Sequence, residues 1–302
     1  FNNVVDPIWE KLRSEKPELI FLNGDVVYVD SFDFVERTKA TDLDIWQRYI
    51  DSFRRIPLYH WHRLTPILAT WDDHDFGSND GDRDFISKKE ALRVFRGFFG
   101  ATQIMNHYEQ GPYGVSSVFK AFGQRFFLMD DRTYRQPNKD QKTQEPFGHW
   151  GKQQHEWLLT NLKKETMPAW IFNGNQIFNG KALGFKEAFE MNHPKHFQSL
   201  IEELKQINSP VVFSSGDIHF SEIMRIPKER IGYETYEISS SSMHSFTGEG
   251  WANPARIPEM FTNEFNFVMI ESKSENNELK LNVESIGLAN KPYFQISLTV
   301  KK

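Results

Sequence analysis

Three short apolar runs in this chain each stop at a carboxylate, and that repeated punctuation restricts the fold more than any other feature. Residues 19–22 (LIFL) run into Gly24 and Asp25, residues 66–71 (PILATW) into Asp72, Asp73, His74 and Asp75, and residues 211–213 (VVF) into Gly216, Asp217 and His219. Runs this short, rich in branched and aromatic side chains, read as buried strands. Open α/β sheets place their sites outside the carboxyl ends of strands, so the three ends are expected at one sheet edge. Carboxylates gathered there would repel one another and take up protons unless cations neutralised them. A metal centre accounts for the pattern.

The rest of the chain supplies the layers around those strands. A helix over 4–12, stopped at Lys16 and Pro17, feeds the first visible strand, an opening from which an earlier strand is expected to be missing. Thr41 caps a helix with Ile45, Trp46, Tyr49, Ile50 and Phe53 on one face, and 87–99 is a helix with Ala91, Leu92, Phe95, Phe98 and Phe99 inward. Residues 115–122 and 124–129 form a hairpin around Gly123, which makes the sheet mixed. Helices at 151–164 and 194–207 flank a strand at 169–172, and strands follow at 233–238, 265–270, 279–283 and 293–300. Alternating α and β elements, then a run of strands, predict two packed sheets with helices outside. No segment reads as a linker, so residues 1–302 are expected to form one domain.

Composition removes several classes. The chain has no cysteine, hence no disulfide, thiolate ligand or cysteine nucleophile, and a net charge of -5 lends no support to sequence-independent nucleic-acid binding. Neither a Gly-x-Ser-x-Gly elbow nor a phosphate-cradling glycine loop is present. No apolar run reaches the roughly 18 residues that a membrane helix requires.

Asp25 and Tyr28 offer a carboxylate and a phenolate on one emerging loop, a hard-oxygen pair suited to a strongly Lewis-acidic metal, or else a turn aspartate and a packing tyrosine. Asp217 and His219 point to one side if their segment is extended; the alternative is a core histidine beside a turn aspartate. Asp73 and His74 are adjacent, so one side chain can bind metal while its neighbour meets substrate, and Trp71 and Phe76 argue against a freely solvated loop. Arg132 and Arg135, past the end of the 124–129 strand, can form a fork for phosphate oxygens or pair with surface carboxylates. Asn173 and Asn175 present amides after another strand. His60, His62, His149, His155, His193 and His196 lack strand-end placement and read as surface or packing residues.

In order, the segments GDVVYVD, WDDHDFGSND, MDDRTYR, NGNQIF and SSGDIHFSE resemble those of the PhoD-type alkaline phosphatases, a branch of the calcineurin-like metallophosphoesterases, across Leu19 to Glu222. The resemblance implies an α/β fold, a four-layer α/β/β/α sandwich of two mixed sheets flanked by helices. It also implies two metal ions, Fe3+ and Ca2+ or other divalent metals, held by Asp25, Tyr28, Asp73, Asn79, Asp217 and His219. His74 would serve the leaving group, Arg132 would bind phosphate and assist catalysis, and Arg135 and Asn175 would hold substrate. Family members open on a strand ending in a cysteine ligand, which this chain lacks. The expected activity is hydrolysis of phosphate mono- or diesters by metal-activated water. The alternatives are a diesterase for lipid or teichoic-acid-like substrates and a metal-deficient module that binds phosphate esters. By the same resemblance the protein is expected to be a periplasmic or extracellular monomer acting on a small-molecule or lipid phosphate ester, with no nucleic-acid partner.

Overall fold

The strands that begin at residues 20, 67, 169 and 211 form on short apolar runs and stop within two residues of a glycine or a carboxylate. A computed structural model describes residues 6–30, 41–100, 108–111, 114–138, 143–180, 187–244 and 247–302. In chain order its elements are α1 (Asp6–Ser14), β1 (Ile20–Asn23), α2 (Asp42–Arg55), β2 (Ile67–Thr70), α3 (Asp73–Phe76), α4 (Lys88–Phe99), β3 (Tyr108–Gln110), β4 (Ser117–Ala121) and β5 (Gln124–Leu128). Then come α5 (Lys152–Lys164), β6 (Ala169–Asn173), α6 (Phe189–Asn192), α7 (Pro194–Lys205), β7 (Val211–Ser215), β8 (Ser221–Ile226), α8 (Lys228–Ile231) and β9 (Thr235–Ser239). Strands β10 (Arg256–Thr262), β11 (Asn266–Glu275), β12 (Glu278–Gly287) and β13 (Phe294–Lys301) complete the chain.

The main sheet has the order β10-β8-β9-β7-β6-β5-β4-β3. Its centre, β5-β6-β7-β9, is parallel, and its flanks are antiparallel. The second layer holds the parallel pair β1-β2, with Ile20 opposite Ile67, and the antiparallel meander β11-β12-β13. Alternation along the strands decides which layer each side chain meets. Phe21 stacks on Phe172 at 4.2 Å between ring centroids, against the main sheet, while Ile20 and Leu22 face Ile8, Trp9 and Leu12 of α1 and Ile45 and Tyr49 of α2. On the main sheet's other face, Phe127 meets Trp157 of α5 edge-on at 5.8 Å. Helices, two strand layers and helices again give the expected mixed α/β sandwich.

Three details differ from the sequence reading. Hydrogen bonding splits the second layer, since β1 pairs only with β2 and β11 only with β12 among the described residues. Between these two edges lies a cavity of about 510 Å³, lined by residues 19–26, Phe267 to Ser272, and Phe126, Trp170 and Phe172 beneath. The expectation of an earlier strand ahead of α1 falls outside the described residues, which begin at Asp6. Second, Ile50 and Phe53 of α2 are 37% and 42% exposed, so the buried stripe is narrower than the apolar one; the Thr41 cap is a full capping box with Asp44. Third, β3, β8 and β10 carry charged residues that break the apolar pattern. Among the described residues no helix is long and apolar enough to cross a membrane.

Candidate metal centre

The loops leaving β1, β2, β6 and β7 meet so closely that side chains would part them. A Cβ on Gly24 would fall 2.6 Å from the Asp72 Cβ, and one on Gly216 would fall 2.5 Å from the Asn23 carbonyl oxygen. Backbone bonds knit the same loops: Gly24 N–H donates to Thr70 at 3.1 Å and Gly216 N–H to Gly174 at 2.8 Å. Asp75 adds a clamp, its carboxylate accepting from the backbone of Val27 at 2.7 Å and of Asp72 at 3.2 Å.

This convergence brings single carboxylate oxygens of Asp25, Asp72, Asp73 and Asp217 within 4.8 Å of one another, and Asp25, Asp73 and His74 form a second such group. Both carboxylate oxygens of Asp25 and one of Asp72 are buried without a hydrogen-bond partner. Buried polar atoms are normally paired, and four carboxylates in one pocket fit a cation. Burial pushes Asp25, Asp72 and Asp217 well above the usual carboxylate range, and neighbouring aspartates add to the push. Burial would raise Asp73 too, but His74 and Arg132 hold it well below that range. The cluster calls for positive charge.

Strained backbone aims these ligands. Asp25, Asp217 and His219 have φ of 54°, 69° and 56°, a left-handed region that residues other than glycine visit rarely. Residues 217–219 are therefore not extended, as the spacing of Asp217 and His219 suggests, but coil after β7 ends. His219 borders the cavity beside Asp25 and Tyr28, and its backbone N–H donates to Ser241 at 3.0 Å.

Asp30, which ends the same GDVVYVD segment, binds the His74 Nδ1 at 2.6 Å and accepts the Asn79 backbone N–H at 2.9 Å. In the sequence only its place five residues past Asp25 on the same loop marks it. Burial alone would lower the His74 imidazole, but Asp73, Asp25 and Asp30 raise it to about 10. The Tyr28 ring lies over it, 4.2 Å between centroids. The Asn79 side chain is exposed, and that residue meets the site through its backbone.

Behind the cluster the arginines are buried rather than splayed on the surface. Arg132, fully buried, donates from Nε to Asp72 at 2.6 Å and pairs with Glu187 at 2.7 Å. Arg135, equally buried, pairs with Glu187 at 3.0 Å. Asp72 and Glu187 thus join the site although neither was singled out. Asp130 is an anchor, accepting from Trp71 Nε1 and from the backbones of Arg132, Thr133 and Val115. The Asn175 backbone N–H donates to Asp131 at 2.9 Å. His149, His155, His193 and His196 are buried, and His196 and His155 share a 2.9 Å bond that continues from His155 to Glu203 at 2.6 Å, so these four pack, as expected; His60 and His62 are exposed.

The loop carrying Asn175 is tied to β9. Glu237 accepts from the backbone of Ile177 at 2.8 Å and of Phe178 at 2.7 Å, and from Ser215 Oγ at 2.6 Å. Burial raises its carboxyl from 4.5 to about 7. The folded state then keeps a proton that the unfolded chain has shed, so this stabilisation is complete below pH 4.5 and lost as pH rises to about 7. Relative to Glu237→Gln, the natural protein should lose about 3 kcal/mol over that interval and run parallel above it. Urea titrations of both proteins across the range provide the check, and parallel curves throughout would assign Glu237 no titration.

A family profile described as PhoD-like phosphatase matches residues 2–291. Alkaline phosphatase D of Bacillus subtilis (strain 168) is 24% identical over 253 residues, which cover 70% of this chain and 43% of that protein. The chain therefore spans less than half the length of that relative. A solved structure, "Structure of PhoD", superposes with a TM-score of 0.70 at 17% identity, covering 99% of this chain and 67% of its own. At that identity the likeness is one of fold.

Proposed function

Because this chain belongs to the PhoD-like phosphatase family, we propose that it hydrolyses phosphate esters at the carboxylate cluster, with two cations held by Asp25, Tyr28, Asp72, Asp73, Asp217 and His219. The observation that carries the reading is Asp25, whose two oxygens are buried without partners among three further aspartates. A carboxylate so placed can serve two cations at once. Fe3+ and Ca2+ are the pair we assign, from the resemblance and from the hard oxygen donors, a phenolate among them. Cations there supply Lewis acidity toward phosphoryl oxygens and water.

The chain's own residues do the rest. Asp30 fixes the His74 ring through Nδ1 and leaves Nε2 for the reaction. With its ring so oriented beside the cluster, His74 suits the donor of a proton to the leaving alkoxide. Arg132 and Arg135 place two positive charges behind the cluster, where the phosphoryl oxygens gather charge.

Elemental analysis and turnover test the reading together. The metal-loaded protein should contain iron and calcium, hydrolyse p-nitrophenyl phosphate, and show a visible phenolate-to-iron band that Tyr28→Phe removes. Turnover of bis(p-nitrophenyl) phosphate in place of the monoester would assign a diesterase. A protein that binds phosphate but no metal and turns over neither would be a binding module.

A further inference from the structure

We propose that Glu187 is an internal competitor for the substrate's phosphoryl group. The inference rests on the phosphate-ester reading above. Its two carboxylate oxygens divide between two guanidinium groups: Oε2 lies 2.7 Å from Arg132 Nη2, and Oε1 lies 3.0 Å from Arg135 Nη2. Two oxygens spread over two guanidiniums is the arrangement in which an arginine pair takes a phosphoryl group.

Glu187 supplies the buried Arg135 with an anionic partner, but Arg132 does not need it for charge balance. Arg132 already has anionic partners in Asp72, bonded through Nε at 2.6 Å, and in Asp131 at 3.8 Å, so Glu187 is a third negative charge on one guanidinium. Glu187 also adds to the charge that raises Asp217 and Asp80, which places it beside the carboxylate cluster rather than in a remote salt bridge. Its own hold is slight: besides the arginines it accepts from Asn138 Nδ2, and it precedes α6 without belonging to it. Both arginines are fully buried, and Glu187 is 6% exposed. The carboxylate is the cover of the pair, and a phosphoryl group reaches the guanidiniums by taking its place.

An anion tethered in the site keeps the arginines oriented and compensated while the site is empty, and it weakens retention of inorganic phosphate after turnover. The step is an exchange of one anion for another, with no bond made or broken.

The test uses the metal-loaded protein, p-nitrophenyl phosphate as substrate and inorganic phosphate as competitor. Glu187→Gln removes the charge at nearly constant shape. KM and the phosphate inhibition constant should both fall about tenfold, the scale of one charge-assisted hydrogen bond regained by the ligand. Phosphate should also raise the melting temperature of the variant by more than it raises that of the natural protein. Glu187→Asp, too short to reach both arginines, should fall between the two, and it carries the test if the glutamine variant does not fold. Phosphate affinity that is unchanged or weaker in both variants, with an equal loss of melting temperature with and without phosphate, makes Glu187 a structural bridge and overturns the inference alone. A natural protein that neither turns over the ester nor binds phosphate overturns the hydrolase reading, and this inference with it.

Discussion

Asp25→Asn should yield a folded protein without its metals and without activity. Asp25 and Asp73 are common to both groups of potential ligands, and Asp25 is the one of the two whose carboxylate oxygens are both buried without a hydrogen-bond partner, so its substitution should reach both cations. Loss of several kcal/mol of transition-state stabilisation corresponds to a fall in kcat/KM on the order of a thousandfold or more. The fold should survive. Burial and three nearby aspartates disfavour the charged form of Asp25, and asparagine tolerates the left-handed backbone at φ 54°. Metal-free Asp25→Asn should therefore melt no lower than metal-free natural protein. Elemental analysis beside a melting curve checks both halves, and a variant that keeps two metals per chain removes Asp25 from the bridging position.

Arg132→Met should cost stability before it reports on catalysis. The guanidinium is fully buried between Asp72 and Glu187, and its removal leaves the buried Asp72 without its cation and Glu187 with Arg135 alone. Breaking a buried pair from one side typically costs about 3–5 kcal/mol. Methionine fills similar volume, so the loss would be electrostatic rather than a cavity effect. Adding Glu187→Gln should cost the methionine variant less than it costs the natural protein, because in that variant Glu187 has already lost one of its two guanidiniums. Chemical denaturation of the two single variants and the double variant measures this coupling. Additive losses would mean that the 2.7 Å pair contributes nothing. The expectation of Arg132 as a phosphate-binding side chain thus acquires a condition: kinetic effects of its substitution count only in a variant shown to be folded.

Much of the site was legible because strand ends are punctuated locally. Each apolar run and the carboxylates beyond it lie within a dozen residues, so Asp25, Asp73, His74 and Asp217 could be named from the sequence. What stayed hidden depends on contacts across long separations. Asp30 gains its meaning from His74, 44 residues away, and Asp72 from Arg132, 60 residues away; Glu187 belongs to no apolar run at all. The same holds for the fold. The central strands β6 and β7 read as apolar runs, as strands buried on both faces do, whereas β9 and β8 bury Glu237 and Glu222 among apolar residues, Glu222 being neutralised by Arg256 of β10 at 2.5 Å. Backbone conformation was the least accessible. Nothing in SSGDIHFSE announces left-handed turns at Asp217 and His219, and without them the segment reads as extended.

Those turns put adaptation in conflict with itself. At 25, 217 and 219 the residue that best fits the local backbone is glycine, and none of the three is glycine. Screening metal-free protein for heat tolerance alone would favour Asp25→Gly, Asp217→Gly and His219→Gly, each of which relaxes the main chain and, at the two aspartates, also relieves charge crowding. Such a lineage would drift toward a sturdier shell with an empty centre. Improving this protein for use therefore requires that resistance to heat and turnover be selected in the same round, with metal present.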